Sequence, residues 1–242
     1  MNEGKGSGSR EPNEARPDSP LFPIPGSRSP VVAVVFDMDG VLLDSEPLHH
    51  QVLNTVLAGE AAALSFDEYR PYIGTTLEYT WRDVIARRGL RGPLAGYMRR
   101  YDEGILEGYK RHSTLNPGVE ALLNELTRRG IRPAVASSSQ TLWVETCLET
   151  LGIRQHFEVV VTGEMVRHGK PDPEIYLLAA QRLGVDPARC LAIEDAPKGV
   201  LSARAAGMTV IGVRTPYTAH LTLEGAAEVI ESLEAFPIER LS

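Results

Sequence analysis

Cysteine is nearly missing from this chain of 242 residues: only Cys147 and Cys190 occur, with neither CxxC spacing nor a histidine close by. That excludes a disulfide-stapled scaffold and a thiolate zinc cage, and makes both thiols small buried apolar groups in a reducing compartment. Long apolar runs are missing too. None approaches the roughly 18 residues that a membrane span needs, and the N-terminus has no apolar core of the secretory kind, so the expected location is the cytoplasm, without membrane contact. Positive charge is in deficit, with 25 lysines and arginines against 32 aspartates and glutamates and a net charge of −7. A protein that grips nucleic acid by neutralising phosphates needs the opposite balance, and a small ligand is the expected partner. There is no GxSxG for a serine hydrolase and no HExxH for a zinc peptidase.

What is present is an ordinary globular composition, 43% hydrophobic and 24% charged, enough for one domain or one domain carrying a smaller insertion. Residues 1–29 are rich in Gly, Ser, Pro, Asn, Glu and Arg, bury too little apolar surface to offset ordering entropy, and read as a disordered tail. Val31 to Phe36 is an unbroken apolar, β-branched run of the kind buried on both faces of a parallel sheet. Arg132 to Ala136, Val159 to Val161, Cys190 to Ile193 and Thr209 to Val213 repeat that character. Helical patterns over about 118–130, 140–151, 173–184 and 197–207 alternate with them, with Gly130, Gly152, Gly184 and Gly207 at or just beyond their C-terminal ends. The alternation predicts an α/β fold, a Rossmann-like doubly wound parallel sheet. Residues 45–115 break the rhythm with several helical patterns and no strand, which predicts an α-helical cap inserted into a core of residues 30–44 and 116–242.

Four polar clusters fall at or just after predicted strand ends or open the next helix: Asp37-Met38-Asp39-Gly40, Ser137-Ser138-Ser139, Gly169-Lys170-Pro171-Asp172 and Glu194-Asp195. Open α/β sheets bind ligands beyond the carboxyl ends of their strands, so clusters far apart in sequence can meet there. Each alone reads as a turn, a helix cap or a surface loop; together they fit attack on a phosphate ester. A carboxylate attacks an anionic ester only if cations cancel the repulsion. Asp37 is the candidate nucleophile, and Asp39, two residues on and on the same side of an extended chain, the candidate acid/base. Magnesium takes oxygen ligands, here the carboxylates of Asp37 and Asp195, the backbone carbonyl of Asp39, and Glu194 through water. Lys170 neutralises charge on Asp37 and the phosphoryl oxygens, and the Ser137 hydroxyl donates to the same oxygens. An EF-hand reading of the first cluster fails, because Gly40 comes two positions early and Leu48 stands at the twelfth.

Four passages, VVFDMDGVLLDSEPLH from Val34, AVASSS from Ala134, HGKPDPEIY from His168 and IEDAPKGVLSARAAGM from Ile193, together resemble the haloacid dehalogenase superfamily. The likeness is to its β-phosphoglucomutase-like and sugar-phosphatase branch with a helical cap, and it spans about residues 31–236. The resemblance implies the same roles for Asp37, Asp39, Ser137, Lys170 and Asp195. It also implies a cap that closes on the site, hinged near Leu43-Asp44-Ser45 and Leu115-Asn116-Pro117, with His49, Gly74, Thr75 and Ser138 near the substrate. The dehalogenases that name the superfamily lack the second aspartate of the first motif, so Asp39 argues against dehalogenation. In the mutase a cap arginine follows a Gly-x-Ser stretch, whereas Leu77 follows Gly74-Thr75-Thr76 here. The expected activity is therefore a magnesium-dependent phosphohydrolase of small phosphorylated metabolites, acting through an aspartyl-phosphate. A sugar-phosphate mutase is the alternative, and an inactive binding protein is disfavoured by the complete polar set. These motifs do not specify an oligomeric state.

Between Arg82 and His112 eight basic residues stand against four acidic ones. The expected reading is a solvated helical face, with steering of an anionic substrate as the sharper alternative. For Tyr69, Tyr72, Tyr79 and Trp81, core packing is expected over stacking on a ligand.

Overall fold

The computed structural model describes Met1 and residues 30–242; the expectation of a disordered tail concerns residues that, Met1 apart, lie outside the described part. Six parallel strands form one sheet in the order β3-β2-β1-β4-β5-β6. They are β1 (Ala33–Phe36), β2 (Arg132–Ser137), β3 (Val159–Thr162), β4 (Cys190–Glu194), β5 (Thr209–Val213) and β6 (Glu228–Ile230). Five coincide with the apolar runs in the sequence. The sixth was not expected: it has three residues, of which only Ile230 is buried, and one apolar contact on a sheet edge leaves no periodicity to read.

Side-chain alternation along the strands divides the core into two layers. Val34, Phe36, Val135, Leu191, Ile193 and Ile211 belong to the cluster on one face, and Ala33, Val35, Ala134, Ala136, Ala192 and Val210 to that on the other. Helices α7 (Glu174–Leu183) and α8 (Pro197–Ala205) cover the second face. On the first face lie α5 (Val119–Arg129) and α6 (Thr141–Thr150), whose apolar cluster continues without a break into the inserted helices. This is the doubly wound α/β fold that the alternation implied.

Between β1 and β2, ahead of the crossover helix α5, stand four further helices: α1 (Glu46–Ala58), α2 (Phe66–Tyr69), α3 (Leu77–Arg88) and α4 (Leu94–His112). The last is the spine, packing on α1, α3 and α6. Tyr97, Tyr101, Ile105, Gly108 and Tyr109 recur along it at three-to-four-residue spacing and are buried. The chain's two passages into and out of this insertion are tied together beside the sheet. Leu43 bridges Leu115, the Asn116 amide donates to Leu42 O at 2.9 Å, and Asn116 Nδ2 donates to Gly40 O and Val41 O at 3.0 Å each.

The basic surplus of the insertion is largely spent on its own acids. Arg82, Arg87, Arg88, Arg100 and Arg111 pair with Glu78, Asp83, Glu68, Glu60 and Glu107, as on a solvated helical face. Trp81 is fully buried and stacks on Tyr97, Tyr69 and Tyr72 are buried, and Tyr79 is exposed.

Candidate active site

The strand order reverses at β1, with β2 on one side and β4 on the other, and such a switch point opens a crevice at the strand C-termini. Phe36 lies in register with Val135 and Ile193, so Asp37 leaves the sheet between the ends of β2 and β4. Glu194 closes β4 and Asp195 follows it; Ser137 closes β2. Topology therefore brings together three of the four clusters, and Lys170 reaches them from the loop before α7.

The Lys170 ammonium is the hub. It donates to Asp37 Oδ1 at 2.8 Å, to Glu194 Oε1 at 2.6 Å and to Ala136 O at 3.0 Å, which satisfies all three protons. Burial works against its charge, but Asp37 and Glu194 outweigh that and hold its pKa above the ordinary value. Tyr176 donates to Glu194 Oε1 at 2.7 Å, and the amides of Asp195 and Ala196 donate to Oε2 at 3.1 and 3.3 Å. Both Glu194 oxygens are thus occupied by donors, which makes Glu194 less available than its neighbours to ligate a cation directly. Asp37 Oδ2, by contrast, takes no hydrogen bond from any described residue.

Asp37, Glu194 and Asp195 each present a carboxylate oxygen within 4.8 Å of the others. Three buried carboxylates against one ammonium leave an excess of negative charge. Burial first, then the neighbouring carboxylates, against the opposing pull of Lys170, push Asp37 from the ordinary 3.8 to about 7. Burial, then Asp37 and Glu194, hold Asp195 well above the usual range. An all-oxygen cluster with excess negative charge is what a hard divalent cation fits, with Asp37 and Asp195 as the available carboxylates. Asp39 stands outside this cluster through its side chain.

Because the Asp37 pKa is raised on folding, the folded chain binds the extra proton, and stability is lost as pH rises from about 3.8 to about 7. A cation that neutralises the cluster removes this loss. The rise in melting temperature on adding magnesium is therefore expected to be larger at pH 8 than at pH 5, measured by thermal denaturation with and without chelator. An equal rise at both would show that the metal binds elsewhere.

Two glycines make room for the carboxylates. A Cβ on Gly199, in α8, would lie 1.7 Å from Glu194 Oε1, and one on Gly40, at φ +80°, would lie 2.1 Å from Asp195 Oδ2. Gly199→Ala is expected to displace Glu194 from Lys170, costing about 2 kcal/mol or more of stability and most of the activity; unchanged denaturation and turnover would show that the helix yields instead.

Asp39 belongs to a second polar group at the insertion. Ser139 Oγ donates to Asp39 Oδ2 at 2.9 Å and Tyr109 Oη to Oδ1 at 3.2 Å. His49 Nε2 lies 3.8 Å from Oδ1. Burial opposes the Asp39 charge, but His49, with Ser139, overrides it and leaves the pKa lowered. Burial likewise disfavours the imidazolium, and Asp39 and Glu46 override it in turn, so His49 is raised.

The remaining sequence candidates divide. Ser137 is fully buried; its Oγ accepts from the Ser139 amide at 3.1 Å and its own proton has no acceptor among the described residues. Ser138 is exposed, and it is Ser139 that reaches Asp39. Gly74 lies at the seam with the core, its carbonyl accepting from Lys198 Nζ at 3.3 Å. The Thr75 hydroxyl is committed within its own turn, donating to Tyr72 O at 2.7 Å and lying 2.9 Å from Thr80 Oγ1. Tyr101, Tyr109, Ser139, Tyr176 and Lys198 were not among the sequence candidates for the site. The tyrosines sit at buried helical positions, where sequence spacing reports core and nothing more.

The family model of haloacid dehalogenase-like hydrolases matches residues 31–207. The fructose-1-phosphate phosphatase YqaB of Escherichia coli K12 is 37% identical over 189 residues, covering 75% of this chain and 95% of that protein. A phosphorylated carbohydrates phosphatase of Thermotoga maritima is 32% identical over 176 residues, covering 73% and 82%. The crystal structure of CbbY from Rhodobacter sphaeroides with phosphate superposes with a TM-score of 0.77 at 32% identity, covering 87% of this chain and 99% of that one. With the switch-point sheet and the carboxylate cluster around Lys170, these likenesses establish that the chain belongs to the haloacid dehalogenase-like hydrolase family.

Proposed function

We propose that this chain is a magnesium-dependent phosphohydrolase of phosphorylated sugars that works through an aspartyl-phosphate on Asp37. One observation carries the reading. Lys170 pins one oxygen of Asp37 while the other has no donor among the described residues, which is how a nucleophile is held but not blocked. As the anionic ester binds, Asp39, ionised in the free site, takes up a proton from solvent; Asp37 Oδ2 then forms the bond to phosphorus as the bond to the ester oxygen breaks, and Asp39 gives that proton to the departing sugar oxygen. Asp39 then takes a proton from water, whose oxygen attacks phosphorus, and the Asp37 carboxylate and inorganic phosphate separate. Lys170 and the Ser137 hydroxyl offset the charge of the phosphoryl oxygens. Magnesium, held by Asp37 and Asp195 with the Asp39 carbonyl, would supply the further positive charge that this step needs.

The substrate class rests on the relatives named for phosphorylated carbohydrates and fructose 1-phosphate, and on a CbbY structure containing xylulose 1,5-bisphosphate. Residues 45–115 act as a lid that excludes bulk water from the phosphoenzyme, turning about the stitched segments at Leu43 and Asn116. The test is phosphate release from a panel of sugar phosphates, nucleoside monophosphates and glucose 1-phosphate isomers, in magnesium and in chelator. Magnesium-dependent release concentrated on sugar phosphates supports the reading; isomer interconversion without release would replace it with a mutase.

A further inference from the structure

The contacts of Asp39 contain a directional argument. A carboxylate oxygen accepts hydrogen bonds, and in the free site the Tyr109 hydroxyl is the donor to Asp39 Oδ1. The single proton of Tyr109 is therefore committed to Asp39 Oδ1, 3.2 Å away. The same oxygen of Tyr109 lies 3.3 Å from His49 Nε2 and can only accept there, so Nε2 must carry a proton. In the neutral ring Nδ1 is then bare, and the Tyr101 hydroxyl at 2.6 Å donates to it; in the imidazolium Tyr101 accepts, and Nε2 is protonated either way.

The His49 ring is boxed as well as bonded. Tyr101 stacks on it at 6.0 Å between centroids, Tyr109 meets it edge-on at 6.2 Å, and Trp143 closes a third side at 6.0 Å. Tyr101 and Tyr109 are eight residues apart on one buried face of α4, His49 is on α1, and Trp143 is on α6 of the core. Asp39 thus takes one donor from the insertion, Tyr109 on Oδ1, and one from the core, Ser139 on Oδ2.

We propose that Tyr109 and Tyr101 are positioning residues: together they hold His49 with its proton on Nε2 and, through Tyr109, fix Oδ1 of Asp39 from the side of the inserted helices. The orientation of the acid/base carboxylate is then set by where α4 stands. This rests on the acid/base role proposed for Asp39, but the His49 proton position does not, and it can be observed without turnover.

The test uses the full chain and the variants Tyr109→Phe, Tyr101→Phe and, as control, Tyr97→Phe, a buried tyrosine of α4 whose hydroxyl accepts from the Gly92 amide instead. An ester with a poor leaving group, a sugar phosphate, needs the proton from Asp39 to break; p-nitrophenyl phosphate does not. In Tyr109→Phe, kcat/KM for the sugar phosphate is expected to fall about tenfold, part of the hundredfold or more that general acid catalysis contributes. For p-nitrophenyl phosphate it stays near wild type. Tyr101→Phe follows the same pattern less steeply, and Tyr97→Phe changes neither ratio. Equal losses on both esters in Tyr109→Phe would mean a packing role and overturn the proposal. Independently, the 15N signals of His49, assigned by difference from His49→Gln, are expected to show the Nε2 proton in the wild type; a ring protonated on Nδ1 alone would also overturn it. If Asp39→Asn retains turnover of sugar phosphates, the acid/base reading fails, and the His49 signals still report on the hydrogen-bond chain.

Discussion

Asp37→Asn is expected to lower phosphate release by roughly 10⁴-fold or more while leaving the fold at least as stable as the wild type. The two effects separate because they have different causes. The amide keeps the shape and can still accept a hydrogen bond from Lys170, so the 2.8 Å contact survives, but it cannot act as the anionic nucleophile. Meanwhile one of three clustered carboxylates is gone, and with it go both the cost of burying that charge, the main cause of the raised Asp37 pKa, and its repulsion with Glu194. The checks are a phosphate-release assay, thermal denaturation, and trapping of radiolabelled phosphate on the protein. Turnover near wild type, or a labelled phosphoenzyme in this variant, would place the nucleophile elsewhere.

Lys170→Met is expected to be as damaging to activity and far worse for stability. Its side chain is 9% exposed and sits between Asp37 and Glu194. Removing one partner of a buried ionic group leaves the others uncompensated, which costs about 3–5 kcal/mol. Glu194 keeps Tyr176 and two backbone amides, whereas Asp37 keeps no side-chain donor among the described residues. The loss is therefore expected to concentrate on Asp37 and to shrink at low pH, where its raised pKa allows it to protonate. Denaturant unfolding of the variant in chelator and in magnesium checks this. A midpoint in chelator equal to that of the wild type would show that Lys170 does not hold the cluster together.

Much of the fold was legible because parallel strands buried on both faces must be apolar throughout, and five of them announce themselves in that way. The edge strand β6 did not, since a strand with one buried residue has no pattern to impose. The break in the strand–helix rhythm between β1 and β2 was legible, where five helices stand in place of one crossover. Its basic surplus illustrates a limit of reading charge along a chain: Arg88 and Arg100 find their acids at Glu68 and Glu60, outside the window in which the charges were counted.

The amino-acid sequence by itself singled out the candidate side chains for the proposed chemistry and their order, because attack on a phosphate ester demands particular groups at strand ends and those groups sit in short local motifs. Only the tertiary structure decided how they are used. It closed both oxygens of Glu194 and, among the described residues, left one of Asp37 open, since hydrogen-bond partners arrive from α7, from the turn between β4 and α8, and from a loop more than a hundred residues from Asp37. It brought Ser139 to Asp39 and left Ser138 exposed, since side-chain direction at the end of β2 follows from the turn and not from the residue type. It also brought Tyr101 and Tyr109 to His49, since a tyrosine on a buried helical face looks the same in sequence whether its hydroxyl ends in the core or at a carboxylate such as Asp39.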